Sequence, residues 1–388
     1  MINLSDYFDP VSIEKPIWVH LAEPSTLAHN ITINTASKPI TDISEYRLAI
    51  IGIPDDRRSP NKGSGEAPDV IRQSLYQLSR LPGKIRIADL GNLKKGPSFE
   101  DTLAALRDVL LELSENNTTT LLLGGSSAVI PVTGRAISEI KGNYTYSTID
   151  SRIDFVNESK EPDSFNYLSG FIRDRDYGPE NFIHIGHQSF LNDPQVVNRF
   201  RKLNFELVRI GEARASMQEI ECLFRDSDII TLDIAAVRQS DAPGTFAPSP
   251  NGFYGEEICL LTRYAGLSDK VSIFGLFEVN PVLDSRNLTG AMAAQIIWFF
   301  LEGFAQRQNE SLAVGKENSG RYVRYHVSVK DIEEDLIFVK SNVTNRWWIE
   351  YRNRKGVTSY LACSYNDYIR ANENEIPHRW LQAVARNG

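Results

Sequence analysis

Asp150 and Asp154 close the run Tyr146-Ser-Thr-Ile-Asp-Ser-Arg-Ile-Asp-Phe155. The apolar and β-branched residues before them read as a buried strand, which sets both carboxylates at its carboxyl end. An α/β protein builds ligand and metal sites there. Hard carboxylate donors suit a divalent cation. Asp233, ending Asp228-Ile-Ile-Thr-Leu-Asp, and Glu278, ending Lys270-Val-Ser-Ile-Phe-Gly-Leu-Phe-Glu, add two more acidic strand ends. Arg152 stands between the first two aspartates. A guanidinium stays protonated and cannot ligate a metal. The chain carries the frame of a metal site with a fixed positive charge set into it.

The rest of the chain must position these groups. Its 388 residues are 41% hydrophobic, enough for one large α/β domain or two ordinary ones. The net charge is −8 and no Lys/Arg stripe stands out, so neither nucleic acid nor an anionic membrane is an expected partner. Cys222, Cys259 and Cys363 are scattered, which suggests neither a zinc site nor a disulfide framework. The first residues lack a basic region followed by an apolar run, so no signal peptide is expected. Ala291 to Ala305 is broken by Gln295 and Glu302, and reads as a buried helix too short to span a bilayer. A soluble cytoplasmic setting is expected.

Residues 1–46 read as an irregular segment broken by Pro10, Pro16, Pro24 and Pro39. Residues 47–314 alternate apolar strands with amphipathic helices. Strands are expected at 47–53, 119–123, 182–185, 206–210, 228–234 and 270–278, and helices at 99–115, 193–203 and 217–224. That alternation implies a mostly parallel sheet covered on both faces. Residues 315–388 differ. Asp335–Lys340 and Arg346–Tyr351 predict a β-hairpin, followed by helices at 364–372 and 377–385. This extension holds Trp347, Trp348 and Trp380, three of the five tryptophans. They are expected to plug an edge of the main sheet; the alternative is an interaction surface for a protein partner or for self-association.

Four segments resemble the ureohydrolase family of arginase, agmatinase and formimidoylglutamase, closest to the formimidoylglutamase branch. They are Gly52-Ile-Pro-Asp-Asp with Asn61-Lys-Gly-Ser-Gly-Glu; Leu123-Gly-Gly-Ser-Ser127; Ile149-Asp-Ser-Arg-Ile-Asp154; and Thr231-Leu-Asp-Ile-Ala235, running into Ala242-Pro-Gly-Thr and Glu278-Val-Asn-Pro281. The resemblance covers roughly residues 47–307. It implies a three-layer α/β arginase-like fold, with the C-terminal hairpin and helices outside the common core. It also implies hydrolysis of amidine or guanidine C–N bonds by two manganese ions. Such ions make hydroxide available near neutral pH.

The resemblance also names the expected ligands, and several are missing. Asp150, Asp154 and Asp233 survive. Ser127 and Arg152 replace the two histidine ligands, and Ala235 replaces an aspartate. The proton-shuttling histidine matches Ser169-Gly170, while the substrate-contacting glutamate matches Glu278. One metal position loses one ligand and the other two. Arg152 is expected to bridge the aspartates in place of the lost metal, or to help bind a ligand. Glu278 is expected either to pair with a cationic ligand or to be held by Arg152 or backbone. His184 and His187 lie outside the motifs and read as structural. Arg238 and Asp241 read as solvated loop residues.

Three readings follow. The one the lost ligands favour is a ureohydrolase-fold pseudoenzyme with no cofactor, serving binding or assembly. The second is a divergent amidine hydrolase with a reduced manganese site. The third is a sensor of a small cationic ligand read by Glu278.

Overall fold

The computed structural model describes residues 3–12, 21, 23–156, 161–310, 312, 320–330, 332–353 and 356–387. Pro16 and the expected boundary near residue 315 fall outside them. The main sheet comprises β1 (Phe8–Asp9), β2 (Ile31–Ile33), β3 (Leu48–Ile53), β4 (Ile87–Leu93), β5 (Thr119–Gly124), β6 (Thr145–Ile149), β7 (Asn181–His187), β8 (Glu206–Arg209), β9 (Ile229–Asp233) and β10 (Ile273–Phe277). Their order is β1-β4-β3-β5-β10-β9-β6-β7-β8, with β2 also beside β4. All pairs are parallel except β1 with β4. The expected strands are present. The N-terminal segment is not wholly irregular, because β1 and β2 both add to the sheet through β4.

Among the described residues nine helices connect these strands: α1 (Ala67–Leu75), α2 (Phe99–Glu115), α3 (Ile130–Lys141), α4 (Tyr167–Phe171), α5 (Pro194–Lys202), α6 (Ile210–Ala215), α7 (Met217–Arg225), α8 (Gly255–Leu267) and α9 (Leu288–Ala305). Alternate residues of β3 show the three layers. Leu48 and Ile50 join one core with α1, α7, α8 and α9; Ala49, Ile51 and Ile53 join the other with α2, α3, α4 and α5. A parallel strand buried on both faces reads as a nearly continuous apolar run, and β3 and β5 are buried at every position, with Thr119 and Thr120 the polar start of β5. The apolar stretch foreseen at 291–305 is α9, largely buried within the first core. A local sequence signal starts α2: Ser98 and Asp101 form a reciprocal capping box. A buried ion pair fixes α1 to β4. Arg72 Nε lies 2.9 Å from Asp89 Oδ2, neither side chain is exposed, and the Tyr76 hydroxyl donates to the same carboxylate at 2.7 Å.

The C-terminal extension is a module in its own right. It is a four-stranded antiparallel sheet of β11 (Tyr322–Val327), β12 (Leu336–Ser341), β13 (Trp347–Arg352) and β14 (Thr358–Cys363), with α10 (Tyr365–Asn372) and α11 (His378–Asn387). The predicted hairpin is β12–β13. The tryptophans do not plug the main sheet. Trp347 stacks on Tyr368 in the module's own core, with ring centroids 4.8 Å apart, and Trp380 donates to Glu350 O at 3.0 Å. Trp348 instead packs beside Cys222 of α7.

Arginines dock the module. Arg225 of α7 is buried, donates to Trp347 O at 3.0 Å and Cys363 O at 2.8 Å, pairs with Glu221 and lies over the Trp348 ring. Arg379 of α11 pairs with Glu206 of edge strand β8 at 3.1 Å and with Asp226 at 2.9 Å. Removing Arg225 takes a buried donor from two carbonyls and leaves Glu221 with Arg346 alone, at 3.1 Å. We expect Arg225→Ala to cost about 3 kcal/mol in chemical denaturation and to expose the module to limited proteolysis before the main domain.

Candidate metal centre

Five neighbouring strands, β3, β5, β10, β9 and β6, deliver the candidate residues at their carboxyl ends. Asn61 follows β3, Ser127 follows β5, Glu278 follows β10, Asp233 ends β9, and Asp150 and Asp154 follow β6. Parallel strands about 4.8 Å apart bring residues distant in sequence into one cluster. Gly125 makes the fit possible: a Cβ there would lie 2.5 Å from Asp55 O.

Asp150, Asp154 and Asp233 converge. Each offers a carboxylate oxygen, and these oxygens lie within 4.8 Å of one another. Short turns aim two of the side chains. Asp150 Oδ1 accepts from Arg152 N at 3.0 Å and Asp233 Oδ1 from Ala235 N at 2.7 Å. Both are Asx-type bonds to the backbone two residues on.

Arg152 does not do what the sequence suggested. Its guanidinium makes no ion pair with Asp150, Asp154 or Asp233, and instead lies over the Phe165 ring, 6.0 Å from the centroid. Only its backbone N–H touches the cluster. Its side chain lines the space beside the aspartates, and its charge opposes the rise of Asp150 and Asp233 from a distance, without an ion pair to any of the three. The reason is steric direction: the turn that bonds Arg152 N to Asp150 leads its side chain towards Phe165.

Glu278 is likewise not free for a cationic ligand, nor held by Arg152. Its Oε1 accepts from Ser127 N at 2.8 Å and lies 3.1 Å from Ser127 Oγ; its Oε2 accepts from Asn61 Nδ2 at 2.9 Å and lies 3.3 Å from Ser59 Oγ. Ser127, standing where the family resemblance places a histidine, thus acts as a donor to Glu278. Glu278 adopts φ +65°, a strained conformation for a non-glycine residue, and Asn61 Nδ2 also holds its carbonyl at 2.9 Å. Asn61 and Ser59 were not assigned roles from sequence, although Asn61 lies inside a quoted motif.

The space among these groups is about 20 Å3, lined also by Ser164, Phe165, Thr245 and Phe246. That is room for one water or one ion. The Phe165 and Phe246 rings meet edge to face at 5.9 Å over this space, and Phe246 is half exposed. Nothing in the spacing of the sequence flagged this aromatic pair.

Burial dominates the electrostatics. It pushes the Asp150 carboxyl up to about 6 against the opposing Arg152 N–H. It also raises Asp154, with Asp150 and Asp233 adding repulsion, and Asp233, with Asp150 and Glu278 adding to it. Glu278 is raised by burial and partly relieved by its donors. His184 and His187 stay outside the cluster, as expected. His184 Nε2 donates to Arg152 O at 2.7 Å, and burial pushes this ring down to about 3; His187 Nδ1 bonds Val208 O at 3.2 Å. Arg238 and Asp241 are not merely solvated. They pair at 2.9 Å, with Arg238 over the Tyr254 ring.

The donor set fits one hard cation and not two. Three carboxylates converge on one point, while Ala235 has no donor atom, Ser127 is committed to Glu278, and Arg152 supplies positive charge at the rim. The imidazole ligands of a manganese pair are missing.

A three-layer parallel sheet with acidic residues at its central strand ends is an arginase-type fold. Residues 46–302 match the model of the arginase family, and the chain belongs to that family. Among its relatives, the formimidoylglutamase of Photorhabdus laumondii is 25% identical over 277 residues, covering 66% of this chain and 85% of the relative. That of Bacillus subtilis is 25% identical over 281 residues, covering 66% and 86%. The solved B. subtilis formimidoylglutamase superposes with a TM-score of 0.66 at 21% identity, over 76% of this chain and 97% of that one. The Trypanosoma cruzi formiminoglutamase solved with manganese gives 0.64 at 18%, over 69% and 96%. At such identities the structures establish the fold. The C-terminal module lies beyond the matched family region.

The raised carboxyls give a signed prediction. Folded-state pKa values above the unfolded ones mean that the metal-free fold binds more protons than the unfolded chain. Its stability is therefore greatest below the unfolded carboxyl value and falls as pH rises through the folded one. For Asp150 the window runs from about pH 4 to pH 6 and is worth about 3 kcal/mol. We expect metal-free protein to lose thermal stability across it, and Asp154→Asn, which removes one charge, to lose less. Equal pH dependence in both proteins would show that the cluster is already neutralised.

Proposed function

We propose that the protein is an arginase-family hydrolase of amidine C–N bonds, of the formimidoylglutamase kind, built around one divalent cation rather than two. The observation that carries this reading is the convergence of buried Asp150 and Asp154 with part-buried Asp233, none of them in an ion pair among the described residues. Buried carboxylates in this state hold protons or a cation. The formimidoylglutamases among the relatives support the substrate class. A divalent cation there would supply Lewis acidity and lower the pKa of a bound water. The chain's own residues orient the site. Glu278, fixed by Ser127, Asn61 and Ser59, adds a carboxylate at its edge, and Phe165 with Phe246 keeps bulk water out.

The test is isothermal titration with manganese and magnesium together with assay of formamide release from formimidoylglutamate. One cation per chain and turnover, both lost in Asp233→Asn, are expected. Binding without turnover sinks the catalytic reading.

A second reading, an arginase-fold binding protein without catalysis, is favoured by the aromatic pair that closes a space too small for any amidine substrate. The two readings share the missing ligands, and those can be restored. Ser127→His, Arg152→His and Ala235→Asp together are expected to raise the stoichiometry to two manganese ions per chain by elemental analysis. A folded triple variant still holding one ion would show that the residue matching fails.

A further inference from the structure

The far end of the sheet, at the amino ends of β5 and β10, holds a second cavity of about 440 Å3. Its walls carry Arg47, Lys141, Lys270 and Arg307 against a single acidic residue, Asp269. Helix C-termini draw cations to this end of a parallel sheet, so some positive charge here is expected. Most of it has such an explanation. Lys141 and Lys270 both pair with Asp228, at 3.0 and 3.1 Å. Arg307 donates to Gly266 O, Val271 O and Thr119 Oγ1 at 2.9, 3.0 and 3.3 Å, and stacks on Phe304.

Two features lack one. Arg307 spends its bonds on neutral acceptors, and among the described residues it has no carboxylate in ion-pair range, although its guanidinium carries five N–H donors. Burial lowers its pKa, Asp269 opposes this, and Arg47 and Arg346 add to the depression. Arg47, on the rim, makes no side-chain hydrogen bond or ion pair among the described residues, yet stands near enough for its charge to act on Arg307. Two guanidiniums share one polar cavity whose single carboxylate, Asp269, already accepts from Asn309 N at 3.1 Å and Glu310 N at 2.8 Å, and a planar fork of donors is suited to oxyanions.

We infer that this cavity binds a phosphate-type oxyanion, free or carried by a small metabolite, between Arg47 and Arg307. The site lies at the opposite end of the strands from the aspartates and does not depend on the function proposed for them. Inorganic phosphate and adenosine monophosphate are the probes, titrated calorimetrically into protein without added divalent cation and at matched ionic strength. One saturable site per chain is expected. Arg47→Ala should weaken it by about tenfold with no loss of fold, since Arg47 makes no side-chain bond among the described residues, and Arg47→Lys should weaken it less. Arg86→Ala, which removes an exposed cation paired to Glu45, should leave it unchanged. Tighter binding of the nucleotide than of phosphate would assign a carried phosphoryl group, and equal binding the free ion. Absence of saturable binding by either probe, or binding indifferent to Arg47→Ala, overturns the inference.

Discussion

Carboxylates buried without an opposing charge are the constraint that organises this protein. Low-dielectric burial costs several kcal/mol per ion unless a proton, a cation or donors compensate. The chain treats its acidic strand ends in two ways. Glu278 is surrounded by donors from Ser127, Asn61 and Ser59, which draw the ends of β3, β5 and β10 together. Asp150, Asp154 and Asp233 have backbone N–H bonds on two members and no ion pair, with the Arg152 charge acting only from the rim. The first arrangement is complete as it stands; the second calls for something from solution.

The same chemistry explains how the site departs from its relatives. Replacing a histidine by Ser127 removes a metal donor and creates a hydrogen-bond donor, so Glu278 gains a partner where an ion would lose one. Replacing another by Arg152 puts a cation near the aspartates without neutralising them, because its side chain packs on Phe165. The two changes act on different halves of the site. One half becomes a rigid hydrogen-bonded corner and the other remains a cluster of anionic oxygens under an aromatic cover.

Much of this was legible in the chain. Asp150, Asp154, Asp233 and Glu278 stand at strand ends, and apolar runs bounded by Gly or Asp mark such ends whatever the tertiary context. The substituted positions were readable because the surrounding motifs kept their order. The direction of the Arg152 side chain was not, since it depends on a turn and on Phe165, which no local pattern links to it. β4 was missed because Asp89, Gly91 and Asn92 interrupt its apolar run; Asp89 is there to receive Arg72, a partner known only once α1 packs. β11 and β14 are the edges of the second sheet and were missed because β11 is largely exposed and β14 has only the short buried run Leu361-Ala-Cys363.

The distribution of tryptophan has a practical consequence. Trp347, Trp348 and Trp380 belong to the C-terminal module or its contact with α7, whereas Trp298 stands alone in α9, and Trp18 lies outside the described residues. Intrinsic fluorescence is therefore weighted towards the module, not towards the strands that carry the aspartates. An emission shift during heating reports first on undocking of the extension from α7. Circular dichroism, governed by the nine helices and main sheet of the larger unit, follows the other event. If the two optical signals part, the arginines between the units are the hinge at which they do so.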